Sequence, residues 1–221
     1  MPSISRPFLS LVLSAQLLTP SAFAFDMPLS DQAVREAFFL GQRNDSRTTD
    51  FFKKYTQYLP VQDQGPQVYS VQFLTPYADV VEHSGQISSG NSAQEALQYY
   101  KKRGDIIRVV ITLTFSRSYG AVIDTPVSSR SGSTKGYQLR SIHFWRDFNY
   151  RLFQKKELLK PLDIQGEASY SNSEDSRSLT GAVVTLLYDA NKLSSSDDAD
   201  IVVDTVAGQQ TVTTFDLASL R

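Results

Sequence analysis

The chain has no cysteine, one tryptophan, two histidines and two methionines in 221 residues. Without cysteine there is no disulfide framework, no thiol nucleophile, and no cysteine-based zinc or iron–sulfur site. Two histidines rule out a three-histidine zinc site. A site of two histidines and a carboxylate would need both His83 and His143 brought together by the fold. Charge of one sign is also lacking: the formal net charge is −1 and the pI about 6.1. That balance leaves no electrostatic footprint for nucleic acid. The nucleophile elbow G-x-S-x-G, the zinc motif H-E-x-x-H, the phosphate loop G-x-x-x-x-G-K-[ST] and the dinucleotide fingerprint G-x-G-x-x-G are all absent. Gly132 to Gly136 reads GSTKG, which has the ingredients of a phosphate loop in the wrong order and no helix start behind it.

Long apolar runs are scarce too. The one near the start, residues 8–18, is shorter than the roughly 20 residues a membrane helix needs. It follows Arg6, is broken by Thr19 and Pro20, and precedes Ala22 and Ala24 at the −3 and −1 positions of a cleavage site. That order predicts a secretory signal peptide over 1–24, and hence a secreted or periplasmic protein with no transmembrane segment once the signal is removed. Residues 25–221 are then expected to form one α+β domain, helical over 25–60 and mainly β over 66–221. A chain of this length can bury a sufficient core without covalent staples.

What is present is periodicity. Ser30 can cap a helix in which Val34, Ala37 and Phe38 recur at helical spacing, with Gly41 as its stop. A second helix is predicted over 49–59, with an aromatic stripe of Phe51, Phe52, Tyr55 and Tyr58. Ser92 and Glu95 form a capping box at the head of a third, over 92–104, which closes on Lys101, Lys102 and Arg103. From Ile106 onward the period changes to two: Ile107, Val109, Ile111 and Leu113 point one way, Arg108, Thr112 and Thr114 the other. Further strands are predicted at 68–75, 137–154, 162–170 and 182–189, with a hairpin at 199–217 and a flexible connection over 128–136. The fold class expected is α+β, with antiparallel β-sandwich-like sheets, two N-terminal helices and one inserted helix.

Two segments concentrate side chains able to carry chemistry. The stretch TPYADVVEHSG, residues 75–85, holds Tyr77, Asp79, Glu82, His83 and Ser84. Read as a strand exit, it turns Val80 and Val81 inward and Glu82, His83 and Ser84 to water. In HFWRDFNYR, residues 143–151, alternation places His143, Trp145, Asp147, Asn149 and Arg151 on one face. Ile142, Phe144, Phe148, Tyr150 and Leu152 fall on the other, as core, with Arg146 as its one polar member. A flat aromatic among hydrogen-bonding groups suits a sugar ring or a peptide. The expected function is a non-catalytic binding module for a glycan or protein partner. Its ligand-binding residues would be Trp145, His143, Asp147, Asn149 and Arg151, with Tyr77, Asp79 and His83. No catalytic residue, metal ligand or cofactor is assigned. The alternatives are a secreted glycan hydrolase, with acids among Asp79, Glu82 and Asp147, and a structural envelope component.

Overall fold

The computed structural model describes residues 25, 27–61, 63–86, 92–116, 118–129, 132–173, 176–206 and 208–221. The signal segment expected over 1–24 lies outside them. Four α-helices occur among the described residues: α1 (Asp31–Arg43), α2 (Ser46–Lys53), α3 (Pro76–Gln86) and α4 (Ala93–Arg103). None is long and apolar enough to cross a membrane. The strands are β1 (Thr56–Tyr58), β2 (Gln67–Leu74), β3 (Ile106–Thr114), β4 (Val122–Ser129), β5 (Gly132–Leu139), β6 (Asn149–Gln154), β7 (Glu157–Leu159), β8 (Asp163–Ser173), β9 (Ser176–Asp189), β10 (Asp198–Asp204) and β11 (Gln210–Asp216).

Every strand pairing is antiparallel. One sheet has five strands in the order β1-β2-β3-β9-β8, a second four in the order β11-β10-β6-β7, and β4 with β5 forms a separate ribbon. Alternation along β3 buries Ile107, Val109, Ile111 and Leu113, as its sequence predicts. Beside them on β9 lie Ala182, Val184, Leu186 and Tyr188. This face shares one apolar cluster with Tyr150, Leu152, Ile201, Val203 and Phe215 of the four-stranded sheet. Phe73 and Phe215 meet across the two sheets with ring centroids 5.5 Å apart.

The helices build a second cluster of their own from Val34, Ala37 and Phe38 of α1, Tyr77, Val80 and Val81 of α3, and Ala96, Leu97 and Tyr100 of α4. The Ser30 cap and the Ser92–Glu95 capping box form as expected. Gly41 does not end α1. The helix runs on to Arg43 and closes on Asn44 at φ 45°. Gly41 is needed for contact instead. A Cβ there would lie 2.2 Å from the Val81 carbonyl oxygen and 2.9 Å from Ser84 Cβ, so α1 and α3 cross at backbone distance. Gly41→Ala is therefore expected to lose about 3 kcal/mol, because a backbone carbonyl cannot rotate aside as a side-chain tip can. A melting curve matching wild type would show that the two helices can separate freely.

Three expectations are corrected. Residues 75–85 are not a strand exit but the helix α3. Thr75 Oγ1 accepts from Ala78 N–H at 3.2 Å, and Pro76 occupies the first helical position. The second helix ends at Lys53 rather than 59, and Tyr58 becomes an exposed edge-strand residue. Most of the connection expected over 128–136 is strand, in the β4–β5 ribbon.

Candidate functional site

Residues 79, 82, 83 and 86 lie at i, i+3, i+4 and i+7 on α3, and so share one helix face. That face looks across to Tyr99 and Arg103 of α4, themselves i and i+4, and down onto the outer face of the five-stranded sheet. There Arg108 of β3 stands beside Leu187 of β9, with Thr185 and Gln165 in the next row. Together they enclose a cleft of about 250 Å³ lined by Glu82, His83, Gln86, Tyr99, Arg103, Arg108, Gln165, Thr185 and Leu187.

The cleft is anchored by a buried acid. Asp79 is 2% exposed. Its carboxylate accepts from Arg108 Nε at 2.7 Å and from the Tyr99 hydroxyl at 2.7 Å, with Arg103 Nε at 3.7 Å. Arg108 also donates through its terminal nitrogen to Glu82. One guanidinium thus ties two carboxylates of α3 to β3, using the fork geometry that lysine lacks. Burial by itself would lower the Arg108 pKa, but the charges of Asp79 and Glu82 and their hydrogen bonds outweigh it and raise it. Burial, then the Asp79 charge and hydrogen bond, raise the Tyr99 hydroxyl well above its ordinary value, so it remains a donor at neutral pH. His83 stacks on Tyr99, with centroids 3.7 Å apart and planes within 6°.

Tyr77 belongs to the opposite side. Two residues along a helix turn the side chain by about 200°, so it cannot share a face with Asp79. Its ring lies under the Arg221 guanidinium, 4.4 Å from the centroid, and against Phe51 at 5.9 Å. The neighbouring Tyr55 hydroxyl both donates to Arg221 O at 3.0 Å and accepts from Arg221 N at 2.9 Å. Burial pushes its pKa up to about 12.

The face expected along 143–151 does not form. Residues Phe144–Asp147 make a 3-10 turn, in which neighbouring residues cannot alternate as they do in a strand. Phe144 and Trp145 both turn inward, Trp145 to 6% exposure. The indole lies over Gly166 so closely that a Cβ there would fall 2.2 Å from its Cε2. His143 and Asp147 are exposed at the ends of this turn. Alternation resumes only at Asn149. From there Asn149 Nδ2 bonds Asp204 at 3.1 Å and one Arg151 terminal nitrogen contacts both Asp204 oxygens, at 2.9 and 2.6 Å. Those two residues are thus engaged in a cross-strand pair. Of the residues expected as core, Phe144, Phe148, Tyr150 and Leu152 are buried, but Ile142, which precedes the 3-10 turn, is 49% exposed.

Sequence reasoning therefore had Asp79 and His83 but missed Tyr99, Arg103, Arg108 and Gln165. For α3 the signal was present. Tyr77, Val80, Val81 and Ser84 repeat at i, i+3, i+4 and i+7 behind a Thr-Pro start, which is a helix pattern. No group of three or more metal-ligating side chains occurs among the described residues.

No family model matches the sequence, and no curated protein matches it. Among solved structures, an IgNAR antibody domain C1 aligns over 72% of this chain and 99% of that one, with 7% identity and a TM-score of 0.29. At that score the likeness carries no argument about fold or function.

Proposed function

We propose that the protein is an exported, non-catalytic binding module. It works in the periplasm or outside the cell, and it receives a single sugar-sized group of a glycan, or a polar peptide side chain, in the cleft between α3, α4 and the five-stranded sheet. Export rests on the N-terminal sequence over 1–24. The two main sheets, with a shared apolar interior, serve as a sandwich-like support that holds the outer-face residues in place. The cleft is smaller than the roughly 300–1,000 Å³ of pockets that enclose drug-sized molecules, which favours one ring or side chain over an extended ligand. His83 and Tyr99 supply a flat wall, Gln165 and Thr185 neutral hydrogen-bonding groups, and Arg103 a partly exposed cation.

The observation that carries this reading is the engagement of both α3 acids by Arg108. A glycosidase needs one carboxyl group protonated and one free, on either side of the scissile bond. Here one guanidinium is bonded to both carboxylates and Asp79 is 2% exposed, which counts against a glycosidic bond held between them. A second reading, an envelope component, draws on the exposed apolar residues Val122, Tyr137, Leu139 and Ile142 at and beside the β4–β5 ribbon.

A glycan array followed by titration of the hits tests the proposal. His83→Ala and Gln165→Ala are each expected to weaken binding about tenfold, the equivalent of one well-placed contact, with the melting temperature unchanged. Turnover of a bound glycan by the wild type, lost in Glu82→Gln, would replace the proposal with the hydrolase. Binding by neither class of ligand, together with capture of an envelope protein that Leu139→Asp abolishes, would replace it with the structural reading.

A further inference from the structure

On the other side of α3 lies a larger pocket, of about 430 Å³, between α1, α2 and the segment 219–221. Its lining divides by chemistry. Leu40, Phe51, Tyr55 and Tyr77 form an apolar floor, in which the Phe51 and Tyr55 centroids are 4.6 Å apart. Arg47, Lys54 and Arg221 stand around it. The acid nearby, Asp50, is already held by Lys53 at 2.6 Å, and Arg221 is engaged by Glu36. Among the described residues no acid or hydrogen-bond acceptor meets the side chain of Arg47 or Lys54. In a chain of slight net negative charge, two exposed and uncompensated cations therefore flank an aromatic floor.

We infer that this pocket binds a small aromatic carboxylate, its ring against Phe51 and Tyr77 and its carboxylate between Arg47 and Lys54. Both halves of that ligand are required by the lining. Leu40 and Phe51 carry no polar side-chain atom and the Tyr55 hydroxyl is already paired with Arg221, so the floor offers a sugar few partners, and a purely apolar molecule would leave the cations unused. Rings packed in offset or edge-on contact with Phe51 and Tyr77 gain from both area and quadrupole. A carboxylate between an arginine and a lysine forms charge-assisted hydrogen bonds. The volume lies within the range of pockets that enclose such molecules. The site is independent of the cleft beside Tyr99, so either can fail alone.

The test uses the full chain, with 2-naphthoate and its neutral isostere 2-naphthamide, followed by amide chemical shifts. The expected result is saturable binding of naphthoate, with shifts centred on Leu40, Phe51, Tyr77 and Arg221. Its affinity should exceed that of naphthamide about tenfold, as a charge-assisted contact provides. The Arg47→Gln, Lys54→Gln double variant, altered only at exposed positions, should bind both probes with the weaker affinity and melt as wild type does. Equal affinities in the wild type would overturn the inference, as would a preference that survives in the double variant. So would loss of both probes in that variant, shifts centred elsewhere, or no saturation by about 5 mM, an affinity too weak for a built site.

Discussion

Arg108→Ala is expected to destabilise the protein by about 3–5 kcal/mol, the range for removing one partner of a buried ion pair. The cost comes from what is left behind. Asp79, at 2% exposure, would keep the Tyr99 hydroxyl and a cation 3.7 Å away, but would lose its 2.7 Å bond to Arg108. Glu82 would lose its partner at the same time. Because Arg108 is on β3 and both acids are on α3, the loss falls on the join between helix layer and sheet. Arg108→Lys should fall between the two, since one ammonium cannot serve both carboxylates in a fixed plane. Replacing the pair together, Arg108→Leu with Asp79→Leu, should recover part of the stability, because the desolvation of two charges is removed along with their attraction, while Glu82 and the Tyr99 hydroxyl still lose their partners. Urea denaturation measures all three. A loss below about 1 kcal/mol for Arg108→Ala is the value of a solvated surface pair, and would mean that the cleft is open to water down to Asp79.

Trp145→Ala should cost a similar amount, about 3–5 kcal/mol, as for other buried large-to-small changes. It should do so as a loss of folding rather than of a recognition surface. The indole fills the space above Gly166, and the Tyr150 hydroxyl donates to the Trp145 carbonyl at 2.7 Å. Trp145→Phe should cost much less. The indole N–H finds no acceptor among the described residues, and deleting an unpaired buried donor offsets part of the lost volume. Gly166 supplies the cross-check. Gly166→Ala should be strongly destabilising beside tryptophan and nearly neutral beside Trp145→Ala, since the two positions share one space. Additive losses in that double-mutant cycle would show that the ring does not rest on Gly166. A Trp145→Ala variant that melts as wild type does would return the residue to the surface.

Capping and periodicity were the readable part of the fold. The Ser92 and Glu95 pair specifies where α4 begins, and strict alternation over 106–114 specifies both a strand and its buried face. Such signals are local: each is complete within one turn or one strand, so neighbours in sequence suffice to express it. The α3 stretch was ambiguous because it contains two β-branched residues beside a polar run. The Thr-Pro start and the i, i+3, i+4 spacing decide for helix once α1 and α4 are there to bury that face.

The candidate site lay mostly beyond such reading. Asp79 and His83 stand out in any scan for reactive side chains, but Tyr99, Arg103 and Arg108 looked like a helix face, a helix end and the polar side of a strand. Their meeting depends on the angle at which α3 and α4 cross the sheet, which is set by packing at long sequence separation. Trp145 shows the same limit in reverse. One 3-10 turn changes which side chains point together, and a pattern read at period two then assigns the ring to the wrong side. The sequence by itself determined the absence of cysteine chemistry, the α+β class, the starts of α1 and α4, and the buried face of β3, because composition and short-range periodicity carry them. Only the tertiary structure decided that one arginine holds two acids, that the indole is core, and that Tyr77 and Asp79 serve opposite sides of a helix. Each of those depends on which distant surfaces come into contact, and that is settled by packing of the whole chain rather than by any short stretch of it.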